Sequence, residues 1–201
     1  GSGWFWAGTT AIDGNEYLRY TQGQATLLAK AGVTLNVTQA NSLSLADLNG
    51  LNGFRLDGVS TNDHSGKWVS SAGDVNGDGF ADLLIGAYGL NSNAGGAYLV
   101  FGAASASASV ALNTLNGTSG YKFTGIDAAD KAGLDTAPAG DINGDGIDDF
   151  IINAHEASSV SGEAYVVFGG TANLSTLDGN GDGVIALGAL NGTTGFRIDA
   201  A

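Results

Sequence analysis

The phrase GDVNGDGFAD at residues 73–82 returns almost unchanged as GDINGDGIDD at residues 140–149. Each copy crowds at least three carboxylates and several glycines between apolar flanks. Like charges held this closely repel one another, so the fold must contain something that makes the crowding tolerable, and must do so twice.

The duplication extends well beyond the acidic loop. The loops start at Asp74 and Asp141, 67 residues apart, and each is followed by an apolar run, DLLIGA (82–87) and DFIINA (149–154). Tyr98 and Tyr165 then stand at the same spacing in GAYLVFG and EAYVVFGG, and the copies close on GYKFTGID (120–127) and GFRIDA (195–200). An earlier closing phrase, GFRLDG (53–58), marks a third and weaker copy upstream. There GNEYLRY (14–20) aligns with GEAYVVF (162–168), and WFWAG (4–8) takes the place of the apolar run. The reading is three units, 1–58, 59–125 and 126–201, of which the first lacks its opening strand and acidic loop, so that the chain starts within a repeat.

A full unit is expected to hold four strands, at 67–73, 82–87, 97–101 and 121–125, with the acidic loop as the first hairpin connection. Short strands with glycine-bearing turns suit an antiparallel meander. The runs LLI and FII are apolar at consecutive positions, as in a strand covered on both faces. A four-stranded sheet repeated at this period is the pattern of β-propeller blades.

Numbered from Asp74, side-chain oxygens fall at position 1 (Asp74), 3 (Asn76), 5 (Asp78) and 9 (Asp82), while Phe80 at position 7 offers its backbone carbonyl. The second copy supplies Asp141, Asn143, Asp145, the Ile147 carbonyl and Asp149. Hard oxygen donors without His or Cys select Ca²⁺ over zinc or copper, and a large, loosely arranged ligand set selects it over Mg²⁺. Two bound ions would bring the formal net charge from −13 to about −9. An EF-hand needs a bidentate Glu at position 12, where this chain has Ile85 and Ile152. The alternative is an Asx-rich turn that binds nothing. A third acidic phrase, LDGNGDGVIAL (177–187), repeats positions 1, 3 and 5 in Asp178, Asn180 and Asp182 but has Ala186 at position 9, and is expected to be a weak or absent site.

Composition sets the outer limits. With 20 acidic residues against 7 basic ones the chain has no means of neutralising a row of phosphates, which argues against nucleic acid and anionic lipid as partners. No apolar run approaches the roughly 20 residues that a membrane-spanning helix requires. There is no cysteine for disulfides or thiolate metal sites.

These residues together resemble the FG-GAP repeat, best known from the β-propeller of integrin alpha subunits. Its pattern of Phe-Gly, a strand, D-x-[DN]-x-D-G-x-x-D, an apolar strand and Gly-Ala-Pro is matched by most of residues 65–89 and 132–156. The departures are Ser65 and Ala132 in place of Phe, and Tyr88 and His155 in place of Pro. The resemblance implies an all-β fold of propeller-type blades with calcium at their edges. It also implies an extracellular or secreted, cell-surface setting, similar to that of bacterial or cyanobacterial surface proteins. Fewer than three blades leave sheet edges and apolar faces open, so self-association, or neighbouring blades of a longer chain, is the expected partner. A cell-surface protein or glycan is a further possible ligand.

An enzyme is not expected. Asp63, His64 and Ser65 are chain neighbours, and such neighbours seldom point at each other with triad geometry. No G-x-S-x-G elbow or phosphate-cradling motif is present. The second reading is a carbohydrate-binding or polysaccharide-cleaving propeller, with Trp4, Trp6 and Trp68 as candidate sugar platforms; packing between blades is the preferred role for all three.

Overall fold

The computed structural model describes residues 5–12, 15–22, 25–30, 44–157 and 162–199. The chain forms two compact units, Gly1–Leu45 and Ala46–Ala201. In the first, β1 (Phe5–Ile12), β2 (Asn15–Gln22) and β3 (Ala25–Lys30) make an antiparallel meander, with a bulge between Trp6 and Gly8. Tyr17 and Tyr20 lie in β2, and the WFWAG phrase runs into β1. Trp4 and the side chain of Trp6 lie outside the described residues.

The second unit holds both acidic loops and two main sheets. Strands β5 (Val69–Gly73), β6 (Asp82–Gly86), β7 (Gly96–Val100) and β9 (Gly120–Thr124) pair antiparallel in that order. Strands β10 (Asp135–Gly140), β11 (Asp149–Ala154), β12 (Glu163–Val167) and β14 (Gly195–Asp199) repeat the arrangement. The expected four-strand meander is thus present twice, within one or two residues of the expected limits. The first hairpins carry the same irregularity, a register shift between Ser71 and Gly73 and between Pro138 and Gly140. A bulge there turns the chain sharply into the acidic loop.

The linkers contain elements that the sequence did not suggest. Short strands β4 (Arg55–Asp57) and β8 (Ser109–Ala111) pair in parallel, as do β9 and β13 (Val184–Ala186). In both cases the closing strand of one copy is joined at its edge by the linker strand of the next. Helix α1 (Thr171–Asp178) fills the longer second linker. Single 3₁₀ turns at Leu45–Asp47, Leu112–Thr114 and Leu187–Ala189 precede each closing phrase.

Packing is like-on-unlike. Leu84, Leu99 and Phe123 of the first sheet share one core with Ile152, Tyr165 and Val167 of the second. Ile152, Tyr165 and Val167 are the counterparts of Ile85, Tyr98 and Val100, which face the other way, onto Leu112, Leu115 and Leu56. The first sheet is therefore buried on both faces, as its consecutive apolar residues require. At the centre the rings of Phe123 and Phe150 meet edge to face, 5.3 Å apart. The backbones also touch directly: Gly96 N donates to Ala132 O at 2.7 Å. Close approach demands glycine here, since a Cβ at Gly133 (φ 79°) would sit 1.9 Å from Gly96 O.

The fold yields a paired prediction. Phe123 is fully buried, whereas its counterpart Ile198 is 51% exposed. Phe123→Ala should therefore cost about 3–5 kcal/mol in a urea melt, and Ile198→Ala well under about 1 kcal/mol.

Candidate metal centre

The two acidic loops lie in the connections β5–β6 and β10–β11, and their carboxylates are turned onto backbone amides. Asp74 accepts Asp78 N through Oδ1 at 3.0 Å and Gly79 N through Oδ2 at 2.9 Å. Asn76 Oδ1 accepts the same Asp78 N at 2.9 Å, which draws positions 1 and 3 together, and its Nδ2 reaches Asp78 Oδ2 at 2.9 Å. Asp78 Oδ1 in turn accepts Phe80 N at 2.9 Å. The second loop repeats every bond: Asp145 N and Gly146 N donate to Asp141, Asp145 N to Asn143 Oδ1, and Ile147 N to Asp145 Oδ1. Gly77, Gly79, Gly144 and Gly146 all take positive φ, from 75° to 90°, which lets successive N–H groups turn inward.

The ninth-position acids do something different. Asp82 and Asp149 are fully buried. Asp82 accepts Val75 N at 2.8 Å and Gly102 N at 2.7 Å. Asp149 accepts Ile142 N at 3.0 Å and Gly169 N at 2.8 Å. Each therefore ties the start of its own loop to the chain just beyond the third strand. Burial pushes the Asp82 carboxyl up, its two backbone donors pull it back, and the charges of Asp78 and Asp74 raise it further.

Among the described residues, no three His, Asp or Glu side chains stand ready as a metal cage. The donor chemistry nevertheless fits a hard cation. A carboxylate oxygen that accepts one amide keeps a second lone pair, positions 1 and 3 share the amide of position 5, and the position-5 carboxylate is held by the position-3 side-chain amide. The residues that would hold an ion are Asp74, Asn76, Asp78 and Asp82, with the Phe80 carbonyl, and Asp141, Asn143, Asp145 and Asp149, with that of Ile147. Binding would require Asp82 or Asp149 to share its oxygens with the ion.

The third acidic phrase begins in the last two residues of α1, with Asp178 as the final helical residue. Asp178 accepts Gly183 N, and Asn180 and Asp182 bond each other as in the other loops. Its ninth position, Ala186, ends β13 and has no oxygen to offer on its side chain.

Asp148 escaped the sequence reading. It stands at position 8 of the second loop, where the first has Ala81, and its Oδ2 accepts Asp74 N at 2.9 Å. The two loops are thus joined, and Gly170 N adds a bond to Val75 O at 2.8 Å. A second unread feature is the Asp63–Tyr98 neighbourhood. Asp63 Oδ2, Ser65 Oγ and the Tyr98 hydroxyl are buried without a hydrogen-bond partner, while His64 stacks on Tyr88 at 4.6 Å. No hydrogen bond joins Asp63, His64 and Ser65 side chains among the described residues. The available signal was repetition: Asp63 and Tyr98 recur as Asp130 and Tyr165. Asn62 and His64 (φ 74° and 55°) even share backbone conformation with Ala129 and Lys131 (φ 75° and 54°). Trp68, expected as packing, is half exposed and donates Nε1–H to Thr136 O at 3.2 Å.

These sheets and loops define an all-β repeat protein with a β-propeller-like fold. Residues 68–100, which run from Trp68 through the first acidic loop to the end of β7, match the sequence model of the FG-GAP repeat, so the chain carries a repeat of that family. FG-GAP repeats are, as a class, structural and adhesion modules. No curated protein matches the chain. No described helix is long and apolar enough to cross a membrane.

Two predictions follow from the geometry. Asp149→Ala removes the acceptor of two buried amides and should destabilise the chain by about 2–4 kcal/mol in urea, more than Asp145→Ala at the exposed fifth position. The second concerns alkali. Burial, aided by the Asp63 charge, pushes the Tyr98 hydroxyl up to about 12 from its ordinary value near 10. The folded state therefore keeps a proton that the unfolded state has lost, and stability present below pH 10 is lost as pH rises towards 12. The melting midpoint should fall over that window, and Tyr98→Phe should flatten the fall.

Proposed function

We propose that this chain is a calcium-binding structural or adhesion module that works outside the cell, as one part of a larger propeller-type assembly or by self-association. The observation that carries the reading is the matched pair of loops. Both present the same oxygen donors, at positions 1, 3, 5, 7 and 9, on the same amide-bonded backbone. A bound calcium would neutralise the charge gathered there and stiffen the first hairpin of each sheet. Asp82 and Asp149 already fix those hairpins to the strand ends at Gly102 and Gly169. The rigid sheets would then present their linkers to a neighbouring repeat, a cell-surface protein or a glycan.

Thermal melting with calcium and with chelator tests this. Calcium should raise the midpoint, by about 2.7 kcal/mol of stability per site at a free concentration of 100 Kd. The double variant Asp74→Asn, Asp141→Asn should lose that increment and melt alike in both buffers. A midpoint unmoved by calcium in the unmodified chain would leave the loops as amide-bonded turns.

A further inference from the structure

The second sheet lacks what it provides to the first. In the first sheet the edge of β9 is paired in parallel with β13, register Val184↔Lys122, Ile185↔Phe123 and Ala186↔Thr124. On the same side Tyr121 and Phe123 are 5% and 0% exposed, covered by the second copy. Their counterparts on β14, Phe196 and Ile198, are 37% and 51% exposed. Among the described residues β14 pairs with β12 on one side and with no strand on the other.

What covers such an edge is shown twice within the chain. Both β4 and β9 receive a short linker strand, β8 or β13, that leads at once into a 3₁₀ turn with a buried leucine, Leu112 or Leu187. The closing phrase of β4 differs little from that of β14: Arg55-Leu56-Asp57 against Arg197-Ile198-Asp199. Its charges do not prevent pairing, since Leu56 takes Val110 in register. We infer that the β14 edge, with Phe196 and Ile198 beside it, is a docking site for the linker segment of a further repeat. The occupant is an extended stretch with a β-branched residue, then Ala and Leu, as in residues 184–187. It would bind parallel to β14 and set its β-branched residue beside Ile198 in register, as Ile185 stands beside Phe123. This rests on the reading of the chain as one module of a repeat array, and adds how the next module is taken. The like-on-unlike stacking makes the contact heterologous, so each addition leaves a fresh edge for another.

The chain has no cysteine, which makes thiol coupling specific. Ile198→Cys and, as a control, Ile142→Cys place thiols at two exposed positions, 51% and 50% accessible. Each folded variant is exposed to a synthetic peptide of residues 183–193 carrying Ile185→Cys as an activated disulfide. The peptide thiol's leaving group departs as the chain's thiolate attacks, forming one mixed disulfide. Coupling at Ile198→Cys should be about tenfold or more faster than at Ile142→Cys, and the advantage should vanish with a scrambled peptide. Equal rates at the two sites, or equal rates with the scrambled peptide, overturn the inference. The in-chain pair Lys122→Cys, Val184→Cys should close a disulfide on oxidation; its failure removes the template and also overturns the inference. If that pair closes while Ile198→Cys shows no preference, the docking site falls and the calcium-module reading stands. Loss of the calcium-dependent melt with coupling retained separates the opposite case.

Discussion

Two buried carboxylates hold the second unit in shape. Asp82 and Asp149 are fully enclosed, and an unpaired charge in such a place would be severely destabilising. Each is instead met by two backbone N–H groups, one from its own loop and one from beyond the third strand. Hydrogen bonds to a charged acceptor contribute about 1.5–3 kcal/mol apiece and offset part of the burial, although the Asp82 carboxyl still sits above its ordinary range because burial is the larger effect. The same bonds close a hairpin, set the loop's curvature and anchor the end of the neighbouring third strand. The other acids of the loop then sit on a ring of inward-turned amides.

That arrangement answers why so much negative charge is tolerable. Backbone dipoles supply part of the compensation, and the remaining lone pairs are those a hard cation would use. The bond from Asp74 N to Asp148 adds a coupling between the copies, since a loop belonging to one sheet accepts a donor from the loop of the other. Sheet stacking follows the same logic of one copy completing its neighbour. Residues that face the linker leucines in the first sheet have counterparts that face the first sheet itself in the second. The first sheet thus has two unlike faces, one on its own linker leucines together with Leu56 and the other on the second sheet.

Much of this was legible in the residues. The 67-residue spacing and the alternation of glycine-rich loop and apolar run place β5, β6, β7 and β9, and their second copies, to within a residue or two. The strands could be read because they are short, carry matched apolar or aromatic runs such as LLI and FII, and recur at a fixed spacing around the glycine-rich loops. The linker strands β8 and β13 could not. Three residues such as Ser109–Ala111 carry no period of their own and become strands only because the edge of β4 is there to pair with them. Helix α1 was hidden for a related reason: Thr171–Asp178 has little amphipathic character, and one buried leucine, Leu174, seats it in the core. In the loops the sequence revealed which oxygens are present but not where they point. The inward turn of Asp82 and Asp149, and the reach of Asp148 across to Asp74, depend on backbone placed by distant strands.

On the proposed function each loop is an oxygen-lined seat for a cation, shaped in advance by its amides and its buried ninth-position acid. Isothermal titration of the metal-free chain with calcium tests this most directly. The account predicts binding that saturates at about two ions per chain, with the third acidic phrase contributing little because Ala186 stands at its ninth position. A chain that takes up no calcium, with its fold intact, would contradict it.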